Sequence, residues 1–313
     1  MRIAVTGASG FIGREVLKLA DFRGIEAVPV VRRDMGHPRQ IIIGDIEAAN
    51  VQQLSVRLKR IDAVVHLAAR THVVGADHDA AAKYFATNVG GARAIAQASV
   101  DAGVGRIVFV SSIKVNGEET FGEQEFSGGD IPLPEDDYGR TKLQAEELIS
   151  ALAIAAGTRV VILRPPMVYG AEVGGNFARL VSAIDRGMPL PFGLINNRRS
   201  LISVRNLAEA ILSALISPSR KRLILTLSDG EEVSTRSLAE AIGHAIGRPA
   251  RLFPVPPGAL RATGQILRKG AQIRRLTGDL RVDCKQAQAS LDWEPSEKIP
   301  EALERMFRNK RNG

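Results

Sequence analysis

The sequence predicts an α/β protein, a doubly wound parallel sheet joined to a smaller, mostly helical carboxyl-terminal lobe. Three observations carry that prediction. Short β-branched runs alternate with segments of three-and-four apolar spacing through the first half. A spaced set of glycines closes the first of those runs. After about residue 170, breaks such as PLPF, NNRRS and PVPPG divide the chain into shorter helices and strands.

RIAVT at 2–6 opens the sheet, and the following GASGFIG places Gly7, Gly10 and Gly13 where strand gives way to helix. Gly7 permits the tight turn, Gly10 lets the backbone approach a pyrophosphate, and Gly13 lets the helix pack closely on the strand. The helix start offers free N–H groups and a positive dipole end to phosphates. AVPVV at 27–31 reads as the second strand and runs into Arg32 and Arg33. QIIIG at 40–44 and AVVHL at 63–67 follow, one leading to Asp45 and Ile46, the other to Leu67, Ala68 and Ala69. Both exits lie at carboxyl ends of parallel strands, where open α/β sheets bind ligands. His66, flanked by apolar residues, reads as a satisfied core histidine. Residues 82–103 are helical in pattern, RIVFV at 106–110 is a strand ending at Ser111 and Ser112, and VVILR at 160–164 is the next. Residues 1–170 are therefore read as a dinucleotide-binding domain to which part of 200–230 returns, and 171–313 as mainly a substrate lobe. Helices at 204–216 and 234–246 stand out in the second half, the latter with Ser234 or Thr235 as cap. FRNKRNG at the end reads as a frayed basic tail.

Bulk properties narrow the chemistry. The 313 residues can bury a substantial core. Cys284 is the single cysteine, so no internal disulfide forms and a reducing cytoplasm is expected. His37, His66, His72, His78 and His244 lack the spacing of a zinc site, so no metal is expected. The opening MRIAVTG leaves no room for a signal peptide, and no apolar run approaches a membrane span. The net charge of +8 favours an anionic partner. Scarce aromatics argue against single-stranded nucleic acid, and no nucleic-acid partner is expected.

YGRTK opens a long helical pattern and sets Tyr138 and Lys142 four residues apart, on one face. An ammonium near the phenol lowers its pKa from about 10 and makes it a usable acid or base. The alternative is a surface pair with no chemistry. A serine hydroxyl at the exit of the 106–110 strand could hold a carbonyl oxygen while the tyrosine delivers a proton.

With TGASGFIG, GDI, HLAA, TNVGGA, SSIKVNG, YGRTK and RPPMVYG in this order, the chain resembles the extended short-chain dehydrogenases/reductases, a Rossmann-fold family of nucleotide-sugar epimerases, dehydratases and ketoreductases. The resemblance implies a catalytic triad of Ser112, Tyr138 and Lys142, with Lys142 also on the nicotinamide ribose. It implies cofactor contacts from Gly7, Gly10, Phe11, Ile12, Gly13, Asp45, Ile46, Leu67, Ala68, Ala69, Asn88 and Pro165. It further implies a diphosphate contact at Asn176 and Phe177, a uracil slot at Leu190 and Phe192, and a diphosphate clamp at Arg199. A second phosphate-binding arginine usually precedes a GD pair; Arg275 in RRLTGDL is one position off and is left outside the expected site.

Dehydratases of this family carry an Asp-Glu pair after the catalytic hydroxyl, whereas Ile113 and Lys114 stand here, which argues against a 4,6-dehydratase. Lys114 is either a substrate contact or a solvent-facing charge. Val31 occupies the position where NAD-binding relatives place an acid, and Arg32 and Arg33 follow it, favouring NADP(H) over NAD(H). The stretches FVSSIKVNGE, RPPMVYG and NNRRSL resemble the branch of UDP-N-acetylquinovosamine dehydrogenase and UDP-glucose 4-epimerase-like proteins. The function expected from it is NAD(P)H-dependent reduction of the C4 ketone of a UDP-2-acetamido-2,6-dideoxy-4-keto-hexose, for surface polysaccharide. The alternative is a 4-epimerase of a UDP-hexose or UDP-N-acetylhexosamine with bound NAD, and a remote one is a non-catalytic nucleotide binder. Residues 258–276 form a basic amphipathic stretch, read as a helix covering the substrate lobe rather than one resting on lipid. The family resemblance also implies a homodimer through residues 78–103 and 138–156.

Overall fold

The computed structural model describes residues 1–71, 79–218, 221–267 and 269–311, so His72 and His78 lie outside the described residues. In chain order, β1 (Arg2–Thr6), α1 (Phe11–Phe22), β2 (Glu26–Val31), β3 (Ile41–Ile42), α2 (Val51–Leu58) and β4 (Ala63–His66) come first. α3 (Ala80–Tyr84) passes through a wider π turn over Phe85–Gly90 into α4 (Gly91–Asp101), and β5 (Arg106–Val110) follows. Next are α5 (Asp137–Ala155), β6 (Arg159–Arg164), β7 (Met167–Tyr169), α6 (Gly175–Asp185), β8 (Arg199–Ser203), α7 (Val204–Ile216) and β9 (Arg222–Thr226). β10 (Glu232–Val233), α8 (Thr235–Ile246), α9 (Pro257–Ile266), α10 (Gly270–Thr277), α11 (Lys285–Leu291) and α12 (Ile299–Arg311) complete the described chain.

Seven parallel strands form the main sheet in the order β3-β2-β1-β4-β5-β6-β9. Helices cover both faces, which explains why the central strands read as unbroken apolar runs rather than alternating ones. α1, α7 and α11 pack on one face, with Val16, Leu207, Ile211, Leu291 and Trp293 in its core. α2, α4 and α5 cover the other through Leu54, Leu58, Ile95, Ala145 and Ile149. QIIIG yields only the two-residue β3, because that strand is the sheet's edge and Ile42 is exposed.

A second, three-stranded sheet, β10-β8-β7, supports the other lobe. α6, α8 and α12 close over it around Tyr169, Phe177, Ile184, Ile242 and Leu303. The chain crosses back to the main body at α7 and β9, so the lobes are interleaved. Asp229, just beyond β9, fastens them: its carboxylate accepts hydrogen bonds from the Ser203 amide, the Asn206 side chain and the Tyr169 hydroxyl. Of the two caps the sequence allows, it is Ser234 that caps α8, accepting from the Ser237 amide.

Candidate active site

The strand order reverses between β1 and β4, and the crevice of a doubly wound sheet lies at that switch point. Gly7 has φ +66, and a Cβ there would stand 2.8 Å from the Ala68 nitrogen. A Cβ on Gly13 would lie 2.3 Å from the Gly7 carbonyl oxygen, so the protein's own packing requires both glycines. Gly10 differs: it is exposed, and a Cβ would meet only that same oxygen, at 3.1 Å. No side chain caps α1 beyond it. An exposed, side-chain-free turn over uncapped helix N–H groups fits the pyrophosphate of a dinucleotide.

Thr6 and His66 end the two switch-point strands and bond to each other, Oγ1 to Nδ1 at 2.7 Å. The Thr6 hydroxyl also accepts from the Leu67 and Ala68 amides at 3.1 and 3.2 Å, so its hydrogen goes to Nδ1 and the histidine proton resides on Nε2. That Nε2 is buried without a partner among the described residues, so the core histidine is only half satisfied. Burial, then the Lys142 charge, pulls the imidazole down to about 3 and keeps it neutral. Asn88 bonds the backbone of Arg70 and the Thr141 hydroxyl, tying this edge to α5.

Sheet pairing continues past β5, where Ser111 donates to Leu163 and Ile113 to Pro165, which sets Ser112 beside Pro165. Ser112 caps a single turn over Ile113–Val115, its hydroxyl accepting from the Lys114 amide at 3.3 Å. α5 starts against that turn: Asp136 caps it through the Gly139 amide, and a Cβ on Gly139 would come within 2.7 Å of the Lys114 carbonyl oxygen. Glycine after Tyr138 thus lets the tyrosine reach Ser112. Burial, then the Asp136 carboxylate, pushes the phenol above its ordinary value, while the Ser112 hydroxyl works the other way.

This corrects the expectation of a phenol lowered by Lys142. The Lys142 ammonium instead donates to the Val110 carbonyl at 2.7 Å and sits 4.0 Å from the centre of the Phe109 ring. Burial pulls it down to about 7 against the raising effect of Glu146. Phe109 stacks in turn on His66, 5.4 Å between centroids. Glu146 is wholly buried and held by Arg164, whose remaining nitrogen reaches Asn116.

Lys114 is not the solvent-facing charge of one sequence-based alternative, because its ammonium is bound to Glu118 and Asp136. Arg275 joins the same carboxylates, at 2.6 Å from Glu118. Burial raises the Glu118 carboxyl, but the Arg275 hydrogen bond and the Lys114 charge outweigh it and hold the group at about 2. Arg199 donates to the Gly278 carbonyl at 3.0 Å, and burial pulls it down to about 10 despite Glu119. Arg275 is near enough to lower it further. The register of the GD pair left Arg275 out, yet the fold sets it beside Arg199; the signal was the unbroken helix through RRLT.

The other expected residues are dispersed by role. Phe177 is buried in the lobe core and stacks on Tyr169 at 5.7 Å, and Phe192 is buried as well. Asn176 is exposed and Leu190 half-buried, paired with Leu252. Phe11 and Ile12 are half-buried at the start of α1, Ile46 is buried and Ala69 half-buried. Arg32 and Arg33 are exposed just past β2, Arg32 lying 3.7 Å from Asp45. Asp34, the nearest following carboxylate, is spent on its own turn, accepting from the Gly36 amide and Gln40.

The family model described as "NAD dependent epimerase/dehydratase family" matches residues 3–224. The chain belongs to that family. A UDP-glucose 4-epimerase of Vibrio cholerae is 36% identical over 306 residues, covering 96% of this chain and 93% of the relative. An N-acetyl-α-D-glucosaminyl-diphospho-ditrans,octacis-undecaprenol 4-epimerase of Escherichia coli O157:H7 is 28% identical over 82% of this chain and 77% of the relative. Among solved structures, MoeE5 in complex with UDP-glucuronic acid and NAD has a TM-score of 0.79 at 27% identity, covering 100% and 99% of the two chains. The family is NAD-dependent, and the seven-stranded fold is that of its epimerases.

Proposed function

We propose that the protein is a 4-epimerase of a UDP-linked hexose or N-acetylhexosamine. The observation that carries this reading is the meeting of Ser112 and a half-buried Tyr138 whose proton is held, at the edge of the glycine crevice, in a chain similar to a UDP-glucose 4-epimerase over nearly its whole length. The bound nicotinamide would supply the hydride acceptor and donor for C4. Tyr138 exchanges a proton with the C4 oxygen, Ser112 holds that oxygen by a hydrogen bond, and Lys142 fixes the ribose and shares charge with the site. Arg199, with Arg275, faces the diphosphate, a task suited to planar forks of donors. Residues 1–170 would bind the dinucleotide, Gly7, Gly10 and Gly13 taking its pyrophosphate and Asp45 and Ile46 its adenine, while 171–313 bind the sugar nucleotide. The α4 and α5 faces, with Phe85, Val89, Leu148 and Leu152 along a groove between them, would form the dimer contact.

A second reading, reduction of a UDP-linked 4-keto sugar by NADPH, is favoured by Arg32 and Arg33 and by the withdrawal of Asp34. One experiment separates them. Protein freed of added cofactor is incubated with UDP-N-acetylglucosamine or UDP-glucose and the sugars followed by NMR. Interconversion of the C4 epimers without added dinucleotide supports the epimerase. No interconversion, with stoichiometric NADPH oxidation on a UDP-linked 4-keto-6-deoxy sugar, transfers the function to the reductase.

A further inference from the structure

Apart from Arg275 near its base, the α9–α10 hairpin has no part in the reaction as proposed. Residues 241–278 carry seven arginines and lysines and no carboxylate, nearly all of the chain's net +8. Three of those bases turn inward: Arg261 toward Glu119, Arg274 toward Glu135, and Arg275 toward Glu118 and Asp136. They fasten the hairpin beside the start of α5, at the mouth of the site. Asn197 and Arg199 hold the Gly278 carbonyl at its base.

The outer side is built differently. A helix that covers a lobe hides an apolar stripe, yet α9 buries only Gly264, whose missing Cβ makes room for Ile273 of the partner helix. At the turn, Ile266 is 82% and Leu267 60% exposed. Arg268 and Lys269 follow directly in sequence, and Lys269 has no ion pair among the described residues. The hairpin therefore packs on itself and presents two large aliphatic side chains next to the exposed Lys269.

We propose that this turn docks the protein on a bilayer containing anionic phospholipid, Ile266 and Leu267 entering the interface while Lys269 meets the headgroups. An apolar tip among cations, with no acidic residue nearby in sequence, is the chemistry that interfacial anchors use. A nucleic acid would have no use for the aliphatic pair. No helix is long and apolar enough to cross a membrane among the described residues, so the contact is peripheral. Docked this way, the mouth lined by Arg199 and Arg275 lies close to the headgroups.

Flotation of the full chain with phosphatidylcholine vesicles, with and without phosphatidylglycerol, tests the proposal. The protein should float with the anionic vesicles at low salt and less as salt rises. Ile266→Ser with Leu267→Ser should lower the partition coefficient at least about tenfold, since both aliphatic groups then stay in water. Its thermal midpoint and its turnover of a water-soluble sugar nucleotide should not change. No flotation at low salt, or a double variant that floats like the parent, overturns the proposal. Flotation needs no turnover, so the result stands whichever sugar is the substrate.

Discussion

Tyr138 is held as an acid: burial and Asp136 favour the phenol, and Ser112 alone opposes them. Replacing it by phenylalanine removes the proton carrier and little volume, so turnover should fall by about 10²–10⁴-fold while the thermal midpoint holds. Unchanged turnover would remove Tyr138 from the role of proton carrier. Lys142 gives a pH-dependent result. Its native pKa of about 7 lies below the ordinary 10.5, so between those values the unfolded chain binds a proton that the folded one does not. Stability from this site therefore rises as pH climbs through that window, and the full cost of burying the ammonium is present below it. Lys142→Met should stabilise the fold by roughly 4 kcal/mol near pH 6 and by little near pH 10, read from urea midpoints. Equal gains at both would sink the assignment. Arg32→Asp should shift the ratio of dinucleotide affinities toward NAD by about tenfold or more, because a charged hydrogen bond is worth about 1.5–3 kcal/mol; a ratio that does not move removes the case for NADPH. The glycines, Ser112 and Tyr138 were legible because each sits at a strand or helix boundary. What Lys114 and Lys142 bind was not, since Asp136, Glu118 and the Val110 carbonyl reach them only through the fold.

At the scale of elements, α5 and β6 are coupled by Glu146 and Arg164, whose side chains are 0% and 1% exposed. A buried ion pair adds little net stability, but losing one partner strands a charge. Glu146→Gln should cost about 3–5 kcal/mol, and Glu146→Leu with Arg164→Met should recover much of that loss, measured by denaturant unfolding. A double variant weaker than the single one would show that the pair stabilises in its own right. Glu146 also supports the Lys142 charge from the next turn of α5, so the pair joins the fold to the site. It was not singled out in the sequence, since its partner is on another element and no helical spacing reveals that. Helices α7 and α8 were legible, the first to the residue and the second to within one, because their apolar faces are wide and Ser234 caps the second. The stretch 258–276 was not, since it breaks into two helices packed through Gly264 and Ile273 where periodicity shows one basic face.

Across the whole molecule, the loop from Ser112 to Tyr138 is walled by the other lobe. Glu123 and Glu125 take Arg281, Glu123 and Glu232 take Arg198, and Phe126 pairs with Val282. The loop thus acquires its shape only when residues 198 and 275–282 are in place. Trp293, the single tryptophan, lies in the opposite direction, inside the core of the main sheet although it belongs to the last fifth of the chain. Neither lobe can then unfold without exposing the other's core or freeing its charges. Two probes should therefore follow one transition: Trp293 fluorescence, reporting the main core, and far-ultraviolet circular dichroism, reporting the helices of both lobes, should give the same urea midpoint. Arg281→Met releases three carboxylates that water can reach, so it should lower that midpoint by the equivalent of about 1–3 kcal/mol and leave the two curves superimposed. Curves that separate, in the parent or in this variant, would mean that the lobes fold independently and that the loop between Ser112 and Tyr138 is shaped without its clamp.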